Sequence, residues 1–373
     1  MSKKTIGLLL AVLALNLAIM PAAFADFDDA ARFAFMASTS SKSVLVIDLR
    51  ERELAHTIHV TREPTSVSVS ERLKALVIAH ETDNSLTLVD LGSTNLEQID
   101  YPLDLTPATV TMSPVGETIA VFDKLAGKLE VHAFRRGAVL LTAGDIHTDM
   151  DFTFSSDGAT IYWVDNAAGS FNSIDLWSGR HSIQLAKPDS GLSAMSRSID
   201  GLFAYVSDSG AGFVHMIELQ TFKPVLEIRV GSMPARPWGT TDGQYMLVPN
   251  SGGDTMTAIS TATGQAAYTV AAVDYPAFVN PGWLDSTAAA VGRSGQVAFI
   301  DIESGSVTDR YELGGVPLNG VVTSDSRTLA IPVPTTGSLE FFDMRSRARL
   351  SSIAGLPRDI GPLALGISNN LCH

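Results

Sequence analysis

The segment Asp145-Ile146-His147-Thr148-Asp149-Met150-Asp151 sets one imidazole beside three carboxylates. A general base or a metal ligand can be built from such residues, because a carboxylate orients a neighbouring histidine and raises its basicity. A solvated acidic loop with one surface histidine has the same composition, and the segment carries no HxxxH or HxH spacing. His80 is a second candidate. It stands where equivalent segments carry Asp123, Asp165, Asp208 and Asn250, so it either replaces a turn cap or turns toward a binding site. Only convergence with His147 would let the two share a metal. His56, His59, His132, His181 and His215 read as surface or cross-strand residues, and Cys372-His373 is a two-residue motif that defines no metal site.

Cations form a second constellation: Arg62, Lys124, Arg236, Arg293 and Arg358 fall in loops of an otherwise acidic chain. Arg236-Pro237-Trp238 adds a ring able to stack on a planar ligand, and guanidinium groups suit bidentate capture of carboxylates. The combination points to an anionic small molecule or an acidic protein partner. Local pairing with Glu63, Asp123 and Asp359 would also account for these cations. The chain has no Gly-x-Ser-x-Gly elbow, P-loop or dinucleotide glycine fingerprint, the motifs that would announce common hydrolase or nucleotide chemistry.

What positions these residues is a repeat. Short apolar strands with a polar end recur, closing at Asp48, Asp90, His132, Asp175, Glu218, Ser260, Asp301 and Asp343, in steps of 42, 42, 43, 43, 42, 41 and 42 residues. Ahead of most copies lie a strand, a tight turn such as Ser155-Ser156-Asp157-Gly158, and a second strand, the chemistry of a hairpin whose turn needs positive φ. Each unit reads as four strands, A to D from the inside outwards, and a fixed period of this length means a radial repeat. The expected fold is all-β: an eight-bladed β-propeller of four-stranded antiparallel blades, with seven blades as the fallback.

The first unit has B (Phe33 to Ala37), C (Val44 to Asp48) and D (Ala55 to Val60) but no A. Its missing strand is expected at Pro362 to Ser368, so the C-terminal strand would pair into the first blade and remove the open edge. The D-to-A and B-to-C connections then gather at one face around the central channel. Loops there escape the repeat's constraints and are where binding residues collect. His147, Asp149, Asp151, His80, Arg62, Arg236, Trp238, Arg293 and Arg358 are the candidates on that face.

Residues 1–25 combine Lys3 and Lys4, an apolar run and Pro21-Ala22-Ala23-Phe24-Ala25, the pattern of a secretory signal peptide cleaved near Ala25. Residues 26–373 are then one propeller domain, periplasmic or secreted, and no later stretch reaches the length of a membrane span. A formal charge of -14 disfavours nucleic acid as a partner. With Cys372 as the only cysteine, an intrachain disulfide and a CxxCH haem attachment are both excluded.

Pro107 to Asp123, Ser198-Ile199-Asp200-Gly201 into Tyr205-Val206-Ser207-Asp208, and Asp301-Ile302-Glu303-Ser304-Gly305 resemble the YVTN family of bacterial β-propellers. The eight-blade count is also similar to the d-type-haem propeller of cytochrome nitrite reductases, and the repeat to the propeller subunits of amine dehydrogenases. The resemblance implies a noncatalytic binding, scaffold or accessory subunit of a periplasmic redox or dehydrogenase system, with a protein partner or an anionic small molecule and no cofactor. The alternative is an enzyme or cofactor carrier, with haem or copper held near His147 and His80.

Overall fold

The computed structural model describes residues 32–147 and 152–366. Asp149, Asp151, Cys372, His373 and the whole of residues 1–25 lie outside the described residues.

Eight four-stranded antiparallel sheets follow one another along the chain. Blades 2 to 8 each run from an inner A strand to an outer D strand in sequence order, while blade 1 is assembled from both ends. Its B, C and D strands are Phe33–Ser38, Ser43–Asp48 and Glu53–His59, and its A strand is Ala364–Leu365. Ala34 pairs with Leu365 and Phe35 with Ala364, so the tail completes the sheet begun by the head, as the strand count requires. The outermost strand starts at Glu53 rather than Ala55.

Strand alternation explains why the sheets stack radially. Successive side chains point to opposite faces: Phe33 and Phe35 enter an apolar cluster with Val69, Leu76 and Ile78 of blade 2, while Ala34 and Met36 enter one with Leu339 and Phe341 of blade 8. A comparable cluster fills each of the other six blade junctions. Each B and C strand is thus apolar on both faces, and D strands such as Lys223–Arg229 are mostly exposed. Full burial of one such side chain contributes about 1.5–3 kcal/mol, and the ring closes because every blade needs two neighbours.

The A-to-B turns show how sequence sets backbone. Gly116, Gly158, Gly201 and Gly243 sit at φ +73, +72, +71 and +71, a left-handed conformation that glycine adopts without a Cβ penalty. Three residues ahead of the glycine, the hydroxyls of Ser113, Ser155, Ser198 and Thr240 accept the amide of the returning strand. At the same end of the blade, the carboxylate closing a C strand caps the C-to-D turn: Asp48 Oδ1 accepts from the amides of Arg50 and Glu51 at 2.9 and 3.0 Å. Burial alone would raise the Asp48 carboxyl, but Arg32 and those two amides outweigh it and hold its pKa below the usual range. No helix among the described residues is long and apolar enough to cross a membrane.

Candidate functional site

The last residue of each B strand is where repeat and function compete. Asp123, Asp165 and Asp208 accept the backbone amides of Ala126, Ala168 and Ala211 at 2.8, 2.8 and 2.9 Å, so a short carboxylate caps the B-to-C turn. His80 makes no such cap. It is fully buried, with Nδ1 3.1 Å from the Glu63 carbonyl and Nε2 2.7 Å from Thr87 Oγ1. Thr87 donates to Asp100 Oδ1 at 2.6 Å, and Arg62 binds the other Asp100 oxygen. Burial is the leading cause that lowers the His80 pKa, opposed by the Glu63 carbonyl.

Blade 6 carries the same device in neutral form. Asn250 Nδ2 donates to Thr257 Oγ1 at 2.9 Å, and Thr257 meets Thr269 at 2.9 Å. These three positions are equivalent to His80, Thr87 and Asp100, so His80 ties strands B, C and D together and does not face the channel mouth. Arg62 is spent on the same network. The network accounts for both residues within the blade.

His147 is exposed and shares a hollow of about 260 Å³ with Lys124, Asn166 and Asp189 between blades 3 and 4. Among the described residues no group of three or more His, Cys, Asp or Glu is placed to hold a metal ion. His132 and His215, expected as surface or cross-strand residues, are 7% and 4% exposed. His132 Nε2 lies 3.0 Å from Glu130 on its own strand, and His215 Nε2 lies 3.6 Å from Asp208 on the neighbouring strand.

The larger opening lies elsewhere. A cavity of about 800 Å³ is lined by blades 5 to 8 and the closing strand, with Arg236, Trp238 and Arg293 on its wall. Three of the residues singled out from sequence therefore meet in one place, while His147, His80, Arg62 and Arg358 do not line it. Arg236 Nη1 donates to the Met195 carbonyl at 3.3 Å, which anchors the guanidinium to blade 5. Arg293 is exposed at the B-to-C turn of blade 7, and Arg358 is exposed on the loop from blade 8 to blade 1.

Comparison of equivalent inner-strand positions shows why the cavity is where it is. The residues pairing with the centre of each B strand are Ser68, Thr111, Thr153 and Ser196 in blades 2 to 5. Such small hydroxyls stitch neighbouring blades: Ser68 accepts the Met112 amide at 2.9 Å and Ser196 donates to the Pro237 carbonyl. In blades 8 and 1 the same position holds Val321 and Ala364, and in blades 6 and 7 it holds Trp238 and Asn280. Trp238, Asn280 and Val321 line the cavity. Asn280 is 6% exposed, and its Nδ2 has no hydrogen-bond partner among the described residues.

The rim departs from the repeat as well. Met233 and Tyr275 occupy equivalent places in successive D-to-A loops, each just before a proline, at φ +51 and +50. A left-handed backbone costs an L residue roughly 1–2 kcal/mol, and a following proline restricts it further. Both side chains are nevertheless large, apolar and exposed, at 55% and 63%, and both line the cavity. Tyr275, Met233 and Asn280 were not singled out from sequence; the signal for them is the comparison of each with its equivalents in the other blades.

The fold is shared with several solved structures. Dihydro-haem d1 dehydrogenase NirN, in complex with DHE, is matched at a TM-score of 0.74 and 16% identity over 91% of this chain and 76% of that one. BamB from Moraxella catarrhalis is matched at 0.62 and 14% identity, covering 80% and 90%, and the C-terminal WD40 domain of Sif2 at 0.65 and 13%, covering 78% and 86%. At such identities the likeness is one of architecture: this chain is an eight-bladed β-propeller. No family model matches the chain, and no curated protein matches it either.

Proposed function

We propose that this chain is an exported, noncatalytic binding propeller, an accessory subunit of a periplasmic redox or dehydrogenase system, whose ligand or partner is held in the cavity of blades 5 to 8. The observation that carries the reading is the break in symmetry at one inner-strand position, where the hydroxyls of blades 2 to 5 give way to Trp238, Asn280 and Val321 in blades 6 to 8, all three on the cavity wall with Arg236 and Arg293. The hydroxyls of Ser68 and Ser196 keep neighbouring blades stitched together, whereas blades 6 and 7 spend the same position on a large ring and an amide that face an open cavity. The YVTN-like repeats and the signal-like residues 1–25 support the export and accessory parts of the proposal.

Protein purified from its native host, examined by mass spectrometry, absorption spectroscopy and metal analysis, tests the assignment. A bound species at unit stoichiometry, lost on Trp238→Ala or Arg293→Gln, is the expected result. A metal or visible chromophore that survives those substitutions but is lost on His147→Ala would establish a cofactor carrier in its place.

A further inference from the structure

We propose that the cavity of blades 5 to 8 takes a small amphipathic organic anion, an aromatic carboxylate whose ring is buried and whose charge meets the arginines. This rests on the reading of that cavity as the binding site and names its ligand class. Three properties of the wall lead there. In a chain with 40 acidic residues, no aspartate or glutamate among the described residues lines the cavity, whereas Arg236 and Arg293 do. An anion entering it meets the exposed Arg293 guanidinium and no opposing carboxylate among the described residues of the wall, and guanidinium forks match carboxylate geometry.

The rest of the wall is suited to a flat apolar body. Trp238, Tyr275 and Phe278 offer ring faces, with Met233 and Val321 beside them, and the volume is that of a site for a drug-sized molecule. The rim supplies the independent argument. Met233 and Tyr275 hold exposed apolar side chains on a left-handed backbone, and backbone strain of this kind persists where a ligand-contacting geometry is selected. The equivalent residues of blades 2 and 3 are Glu63 and Thr106, neither of which has positive φ. Asn280, buried in the wall, adds a polar contact.

The test compares three probes of one shape by isothermal titration: 2-naphthoate, 2-naphthalenemethanol and 2-naphthylmethylammonium, followed in parallel by quenching of tryptophan fluorescence. The expected result is one site per chain, with 2-naphthoate bound at least 10-fold tighter than the alcohol and the ammonium probe weakest. Arg293→Gln, a change on an exposed turn that the fold tolerates, should lower naphthoate affinity by about 10-fold and leave the alcohol unchanged. Tyr275→Ala should weaken both probes together. If the alcohol or the ammonium matches naphthoate, or Arg293→Gln leaves the preference intact, the ligand class is wrong while the cavity survives as a binding site. If no probe binds and poly-glutamate does, with Arg293→Gln abolishing it, the cavity is a docking site for an acidic polypeptide and the small-molecule proposal falls. Absence of all binding would overturn both the ligand class and the site.

Discussion

Individual side chains in this ring serve either the repeat or the departure from it, and the two make opposite predictions. His80 serves the repeat. Replacing it with asparagine, the residue blade 6 uses at the equivalent position, should preserve the fold, whereas His80→Ala removes the imidazole from the Glu63 carbonyl and leaves Thr87 bonded to Asp100 alone, which should cost about 1–3 kcal/mol, read by urea unfolding. A pH dependence follows from the same burial. Folded His80 has a pKa below 6.5, so as pH falls below about 6.5 the unfolded chain binds a proton that the folded one refuses, and stability drops. His56 is lowered in the same direction by burial, so His80→Asn should diminish the loss between pH 6.5 and 5 without abolishing it. A melting temperature whose slope in that window is unchanged by His80→Asn would contradict the assignment. Tyr275 serves the departure: Tyr275→Gly relieves a left-handed backbone and should raise stability by up to about 1 kcal/mol while weakening ligand binding, a trade of stability against function.

At the level of the element, turns carry most of what could be read in advance. The Ser-x-Asp-Gly pattern is legible because a hydroxyl, a carboxylate and a positive-φ residue each have one job at a fixed offset. Blade 8 breaks it at Thr323-Ser324-Asp325-Ser326, where Ser326 takes φ +58 in the place that blades 3 to 6 give to glycine. Ser326→Gly should therefore raise the unfolding free energy by about 1 kcal/mol; a measured loss would mean that the serine contributes more than its backbone costs. Capping carboxylates act in the same way at the C-to-D turns. Asp48, Asp175 and Asp343 all lie below the usual carboxylate range because amide and side-chain donors outweigh burial. Their stabilisation is complete above about pH 4 and disappears as pH falls through their folded values, so acid unfolding should follow the histidine phase as a separate step. The inner strand was harder to read. Trp238 and Arg236 stand out by type, but Asn280 and Tyr275 look like ordinary strand and loop residues until their counterparts are aligned by register. The His80 side chain could not be aimed from sequence, because the end of a strand offers both the channel and the sheet interior.

Over the whole molecule, the period of about 42 residues set the blade number, and the missing first strand set the closure, since apolar faces on both sides of every blade leave no stable open ring. Deleting residues 362–373 removes Ala364 and Leu365 and leaves the Phe33–Ser38 strand as an open edge. Light scattering should then show self-association, and the melting temperature should fall; a monomer with unchanged melting would contradict closure by the tail. Where ligand binds is the matter on which the functional account depends, and hydrogen exchange measured with and without bound ligand decides it. Slowed exchange is predicted at residues 231–239, 274–282 and 292–295, on the blades that depart from the repeat. Protection confined to residues 124–127 and 145–147, around His147, would contradict the account.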